Sequence, residues 1–249
     1  MLRKKFPKGI ASGTQFFNRT DEIACLKANI ESGVHTLIIA PRRYGKSSLA
    51  KHVIKQSRLP YAEIDLFVAV DDADIAKKIF QGISRVMKQA LGKPEKWITV
   101  LRDYFERANK HWTIGLQGMT LELIAPHDKM PADNIMDALL ALEHVLKKQK
   151  QHVVIFIDEV QEIFQLPTGK ALEGVLRHFA QESEHVVFVF SGSARHLLEK
   201  MFKDSVRPLY ALCDELRLGR IAPHYYEKYL NRVAKDTWQH TLPEEILNW

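Results

Sequence analysis

Thr36-Leu-Ile-Ile-Ala-Pro-Arg-Arg-Tyr-Gly-Lys-Ser-Ser48 decides how this chain folds. Thr36–Ala40 reads as a short buried strand and Lys46–Gln56 as a helix, with a basic loop between them. The loop matches G-x-x-x-x-G-K-[ST], except that Ala40 stands where the first Gly is expected. Successive backbone N–H groups at a helix N-terminus wrap phosphates and add partial positive charge. Gly45 lets the backbone approach a phosphate closely. Lys46 is expected to reach the β- and γ-phosphates, and the Ser47 hydroxyl to face Mg²⁺. Pro41, Arg42, Arg43, Tyr44 and Ser48 complete this nucleotide-binding set. The plainer alternative is a basic turn, with Arg42 and Arg43 as solvated cations.

A phosphate loop needs a metal-holding acid at the end of another strand. Val153-Val-Ile-Phe-Ile-Asp-Glu159 supplies five apolar residues followed by two carboxylates. Asp158 is expected to hold Mg²⁺, directly or through water, and Glu159 to polarise an attacking water as general base. Such a pair favours hydrolysis over transfer to a bound alcohol. The next strand, Val186–Phe190, ends in Ser191-Gly192-Ser193. If it lies between the other two, Ser191 faces the γ-phosphate and orients the water; otherwise it belongs to an ordinary Ser-Gly turn. Arg207, in Arg207-Pro-Leu-Tyr210, is the candidate to stabilise charge on the transferring phosphoryl group, from its own subunit or a neighbour, against the alternative of a surface arginine.

The rest of the chain alternates helix and strand. TLIIA, VVIFI and VVFVF are apolar at nearly every position, the pattern of strands buried on both faces of a parallel sheet. The expected fold is a three-layer α/β domain over about residues 10–219. Further strands are read at Tyr61–Phe67 and Glu215–Leu218, and helices at 20–33, 72–91, 94–108, 133–148, 170–183 and 194–202. Residues 111–125 fit a short hairpin. Pro223–Lys235 reads as a helix, and Thr241-Leu-Pro-Glu244 as the capping box of another. That last helix has barely a turn before Trp249, which reads as a truncation or a naturally short relative.

Composition narrows the function classes. Of 249 residues, 46% are apolar and 27% charged, which excludes whole-chain disorder. Two cysteines, Cys25 and Cys213, exclude a disulfide scaffold, and the scattered histidines give no metal-ligand spacing. Cys25 reads as core packing. Apolar runs of five residues are far short of the roughly 20 that span a membrane. The basic start lacks the apolar stretch of a secretory signal, so a cytoplasmic setting is expected. The net charge of +6 suggests nucleic acid at first sight. Four of the cations fall in the first eight residues and three in the phosphate loop, leaving a nearly neutral body. The charge therefore fits a nucleotide site plus a tail better than a DNA-binding face.

Phe17-Asn18-Arg19 with its helix, then APRRYGKSSL, VVIFIDEVQEI, FVFSGSARHLLEKMF and RPLY, resembles the AAA+-related P-loop ATPases of the STAND type. The similarity is greatest to their archaeal-type branch and covers about residues 14–235. The resemblance implies a sheet of order 5-1-4-3-2, with the SGS strand between the phosphate-loop and acidic strands. It implies Phe17 and Arg19 near the adenine, Ala40–Ser48 as Walker A, Asp158 and Glu159 as Walker B, and Ser191 as sensor. ATP/ADP rather than a guanine nucleotide is likewise implied. Residues 1–13 would be a basic tail, 14–219 the ATPase core with an insertion at about 92–132, and 220–249 the beginning of a helical lid. Members usually continue into a winged-helix region. The family's PLYGR arrangement is altered, with Leu212 in place of its arginine.

The leading expectation is thus Mg²⁺-dependent ATP binding and hydrolysis used as a conformational switch. A nucleotide-gated binding module, a platform for a partner or for DNA with negligible hydrolysis, is the alternative, and a small-molecule kinase ranks below both. Expected partners are the nucleotide and a protein partner or homo-oligomer, with DNA lower and a membrane excluded.

Overall fold

The computed structural model describes residues 11, 16, 18–91, 95–117, 120–126 and 129–243. In chain order its elements are α1 (Thr20–Glu31), β1 (Thr36–Ile39), α2 (Lys46–Ser57), β2 (Tyr61–Asp65), α3 (Asp72–Leu91), α4 (Glu95–Arg107), β3 (Thr113–Gln117) and β4 (Thr120–Ile124). They continue with α5 (Pro131–Gln149), β5 (Val153–Asp158), a 3-10 helix (Val160–Gln165), α6 (Gly169–Glu182), β6 (Val186–Gly192), α7 (Arg195–Lys203), β7 (Asp214–Arg217) and α8 (Pro223–Trp238). The basic tail before residue 11 and the capping-box end from Glu244 lie outside the described residues.

Five strands form one parallel sheet in the order β2-β5-β6-β1-β7. This differs from the 5-1-4-3-2 notation through the two numbers taken by the separate antiparallel hairpin β3-β4. The strand carrying Ser191 lies between the strand that feeds the phosphate loop and the strand that ends in Asp158. Register places Ile38 beside Ser191 and Ile39 beside Gly192 on one side, and Ile157 beside Phe190 on the other. Because the strands are parallel, Ala40, Asp158 and Ser191 all emerge at one edge. Open parallel sheets bind ligands at this carboxyl edge, where the order of strands reverses.

The apolar strands divide their side chains between two cores, one on each sheet face. Leu37 and Ile39 of β1, and Val153, Ile155 and Ile157 of β5, join the larger core with α3, α5, α6 and α7. Ile38, Val154 and Phe156 join the smaller core with α1 and α2. This alternation between two covered faces is why the strands show no polar side. Phe188 stacks on Phe190 at 5.4 Å and meets Phe179 edge-on at 6.0 Å, tying β6 to α6.

The stretch between β2 and β5 extends the larger core. Leu101, Phe105 and Leu123 are buried in it, and Trp112 stacks on Phe105 at 5.0 Å. Lys110 and Lys129 both pair with buried Asp137 of α5, which fixes this stretch to that helix. Cys25 corrects one expectation: α1 buries Leu26 and Ile30, and this rotation turns Cys25 out to solvent. Among the described residues, no helix is long and apolar enough to cross a membrane.

Phe188 is 1% exposed at the centre of the aromatic contacts. Phe188→Ala is expected to lower stability by about 3–5 kcal/mol through lost burial and the cavity left behind. Urea unfolding followed by circular dichroism measures this.

Candidate nucleotide-binding site

The loop after β1 turns into α2 through Gly45, whose φ of 90° is easily adopted without a Cβ. α2 carries no acid in its own first turn, so the carboxylates that face the positive end of its dipole come from other segments. Pro41, Arg42 and Arg43 are exposed, Tyr44, Gly45 and Ser47 half-buried, and Lys46 and Ser48 buried. Arg42 sits over the Phe67 ring at 4.8 Å. Ser48 Oγ accepts a hydrogen bond from the Ala11 N–H at 3.0 Å. Lys46 Nζ donates to the Ala40 carbonyl at 3.2 Å and lies 3.9 Å from Glu159 Oε1. Burial lowers the Lys46 pKa; Glu159 and Asp158 oppose that shift, and Arg42 reinforces it.

Asp158 is the meeting point. Its Oδ2 accepts the Ser47 hydroxyl at 2.5 Å, and its Oδ1 accepts the Ser191 hydroxyl. Ser191 is fully buried and Asp158 is 8% exposed. Neighbouring Glu159 adopts a left-handed backbone, φ 53° and ψ 46°. Its Oε2 accepts hydrogen bonds from Gln161 Nε2 at 2.6 Å, Ser193 N–H at 3.1 Å and Ser193 Oγ at 2.8 Å. Sequence reasoning did not single out Gln161 or Ser193. The only available signal was their position, two residues beyond Glu159 and Ser191.

A cavity of ≈ 400 Å³ opens beside the loop. Phe16, Arg19, Tyr44, Gly45, Ile221 and Tyr226 contribute to its wall. Arg19 is buried and bridges two distant segments, donating to the carbonyls of Tyr44 at 3.3 Å and Gly219 at 2.7 Å. Glu22 holds its other terminal nitrogen at 2.8 Å. Arg220 Nε reaches the Tyr44 hydroxyl at 3.1 Å. Phe17 lies outside the described residues. Phe16, not anticipated from sequence, lines the cavity and stacks on His52 at 4.4 Å.

Arg207 is placed apart from this group, on Glu173 of α6. Its Nε and Nη2 both donate to that carboxylate, while its guanidinium covers the Phe164 ring at 4.5 Å. Glu173 is fully buried. Burial raises its pKa, and Arg207 and Lys170 draw it back. Arg177 grips the same turn, donating to the carbonyls of Pro208 and Tyr210 at 2.7 and 2.6 Å.

Sheet order, phosphate-type loop and carboxyl-edge acids define a P-loop nucleotide-binding class of protein. Residues 16–217 match the family described as ATPase domain predominantly from Archaea, and the chain belongs to that family. No curated protein matches the sequence. Among solved structures, the Walker-type ATPase PABY2304 of Pyrococcus abyssi aligns with a TM-score of 0.69 at 18% identity, over 98% of this chain and 65% of that one. The Aeropyrum pernix ORC1 protein, solved with DNA, aligns at 0.58 and 14% identity, over 94% and 53%. ORC2 of the same organism, solved as ADPNP-ADP complexes, aligns at 0.58 and 16% identity, over 94% and 55%. At these identities the likeness is one of fold. The chain spans between about half and two thirds of the length of these structures.

Removing Arg207 strands a buried carboxylate. Arg207→Ala is expected to cost about 3–5 kcal/mol near neutral pH. Without its partner, the Glu173 pKa rises further. The variant is therefore least impaired at low pH and loses stability as pH climbs through that raised value. Adding Glu173→Gln removes this pH dependence. Urea midpoints between pH 5 and 8 measure both effects.

Proposed function

We propose that this chain binds ATP with Mg²⁺ and hydrolyses it, using the cycle as a conformational switch. The observation that carries this reading is the convergence on Asp158. A phosphate-loop hydroxyl from Ser47 and a strand-end hydroxyl from Ser191 meet on one buried carboxylate, with Glu159 facing Lys46 beside it. The oxygen donors suit Mg²⁺, which typically takes one or two carboxylates plus substrate phosphates rather than an all-protein cage. Among the described residues, no cluster of three or more acidic, His or Cys ligands offers an alternative metal centre. Ser47 and Asp158 would hold the ion, and Mg²⁺ would neutralise charge on the β- and γ-phosphates.

Lys46 supplies positive charge to the transferring phosphoryl group. Glu159 accepts the proton of the attacking water, and Ser191 orients that water while fixing Asp158. Arg42–Ser48 bind the phosphates through backbone N–H groups and the start of α2, and Pro41, which has no N–H, shapes the loop that presents them. Arg19, Phe16 and Tyr226 frame the cavity for the base, with Phe17 assigned there by resemblance. ATP, rather than a guanine nucleotide, and the STAND-type archaeal branch also follow from resemblance. Arg207 remains a candidate finger once released from Glu173, acting in its own chain or across a homo-oligomer or protein-partner interface.

The cavity wall suggests how nucleotide state reaches the rest of the protein. It joins the phosphate loop to the segment around Gly219–Tyr226, and Arg19 and Arg220 already tie Tyr44 to that segment. This fits residues 14–219 as the core, with an insertion at 92–132, and 220–249 as the beginning of a lid. A nucleotide-gated DNA platform is the second reading. It is favoured by the surface depression on α8 lined by Lys228, Asn231, Arg232, Lys235 and Asp236, with three cations to one acid, and by the DNA complex of ORC1. A DNA affinity that falls steeply with added salt would favour it.

Glu159→Gln is expected to lower phosphate release by about 10²–10⁴-fold while leaving nucleotide affinity in place. Equal turnover in both proteins removes Glu159 from the reaction. Only protonated Lys46 attracts phosphate, and burial depresses its pKa. Nucleotide affinity should therefore weaken as pH rises toward that depressed value, earlier than an ordinary lysine requires. Lys46→Ala should bind weakly with no such trend. Calorimetric titrations from pH 7 to 10 measure this.

A further inference from the structure

The Glu159 carboxylate is suspended asymmetrically. Gln161 Nε2, the Ser193 N–H and the Ser193 hydroxyl all address Oε2. Oε1 instead lies 3.9 Å from Lys46 Nζ. One oxygen is thus anchored while the other faces the phosphate-loop lysine.

The packing around this anchor is close. Gln161 is 2% exposed, and its amide lies against Gly192. A Cβ at Gly192 would fall 2.1 Å from Gln161 Oε1 and 3.0 Å from both δ-carbons of Leu198. Glycine at this position leaves the space that the amide occupies. Ser191 and Ser193 are two residues apart at the end of β6, so one short segment reaches both carboxylates, Asp158 through Ser191 and Glu159 through Ser193. The left-handed backbone of Glu159, a conformation disfavoured in a non-glycine residue, is part of the same arrangement.

We infer that Gln161 and Ser193 are positioning residues for Glu159, fixing Oε2 so that Oε1 receives the proton of the attacking water. The inference rests on the hydrolytic reading above and names the parts that aim its base. In that step the water's proton passes to Oε1 and its oxygen bonds to the γ-phosphorus. The bond from phosphorus to the bridging oxygen breaks, and its electron pair leaves on ADP.

The variants Ser193→Ala and Gln161→Met, the second retaining volume without the donor, are compared with wild type in phosphate release and nucleotide titration. Both should lose about 10- to 100-fold in kcat, as expected for a misplaced reacting group, with nucleotide Kd unchanged within about twofold. Ser193→Thr, which keeps the hydroxyl, should recover most of the rate. In a Glu159→Gln background, Ser193→Ala should cause no further loss. Wild-type kcat in both single variants, a loss seen only in Kd, or an undiminished loss in the Glu159→Gln background overturns the inference. A crystal structure of the Ser193→Ala/Gln161→Met double variant reads the same point without turnover. The Glu159 carboxylate should leave its place beside Lys46, and its retention there overturns the inference. If wild type shows no hydrolysis, the hydrolytic reading fails by itself, and the crystallographic comparison still decides the positioning.

Discussion

The site depends on one buried carboxylate. Asp158 ends β5, an interior strand of the sheet, and accepts hydroxyls from the start of α2 and the end of β6. A carboxylate with so little contact with water needs donors, and here the two hydroxyls, joined by the Glu159 N–H at 3.1 Å, come from segments that carry other groups of the site. Satisfying Asp158 therefore brings Lys46, Ser191 and Glu159 into one place. The parallel sheet makes the meeting possible because three strands reach the same edge together.

The fold was legible where burial leaves a simple pattern. β1, β5 and β6 are apolar throughout because each divides its side chains between two cores. Boundaries shifted by a few residues; for instance, β2 ends at Asp65 rather than continuing to Phe67. Cys25 was misplaced because its apolar neighbours, Ala24 and Leu26, concealed which face of α1 turns inward. The hairpin at 113–124 was legible as local structure, whereas its packing against α3, more than 20 residues earlier, depends on residues far away in sequence.

The site divides in a similar way. Ser47, Asp158 and Glu159 could be picked out because each stands in a short, recognisable string. Gln161, Ser193 and Phe16 could not, because their parts arise from side-chain contacts made only after folding. Arg207 shows the reverse difficulty. Its motif suggested phosphate chemistry, but the folded chain commits the guanidinium to Glu173, 34 residues away in sequence. Together with Arg177 on the neighbouring carbonyls, that pair fixes the turn from α7 toward β7 on α6.

A crystal structure with Mg²⁺ and a non-hydrolysable ATP analogue tests the central claim most directly. The account predicts the γ-phosphate between Lys46 and Glu159, with the metal beside Ser47 and Asp158 and the base in the cavity near Phe16 and Tyr226. A nucleotide bound away from the phosphate loop, or a metal remote from both Ser47 and Asp158, would contradict it.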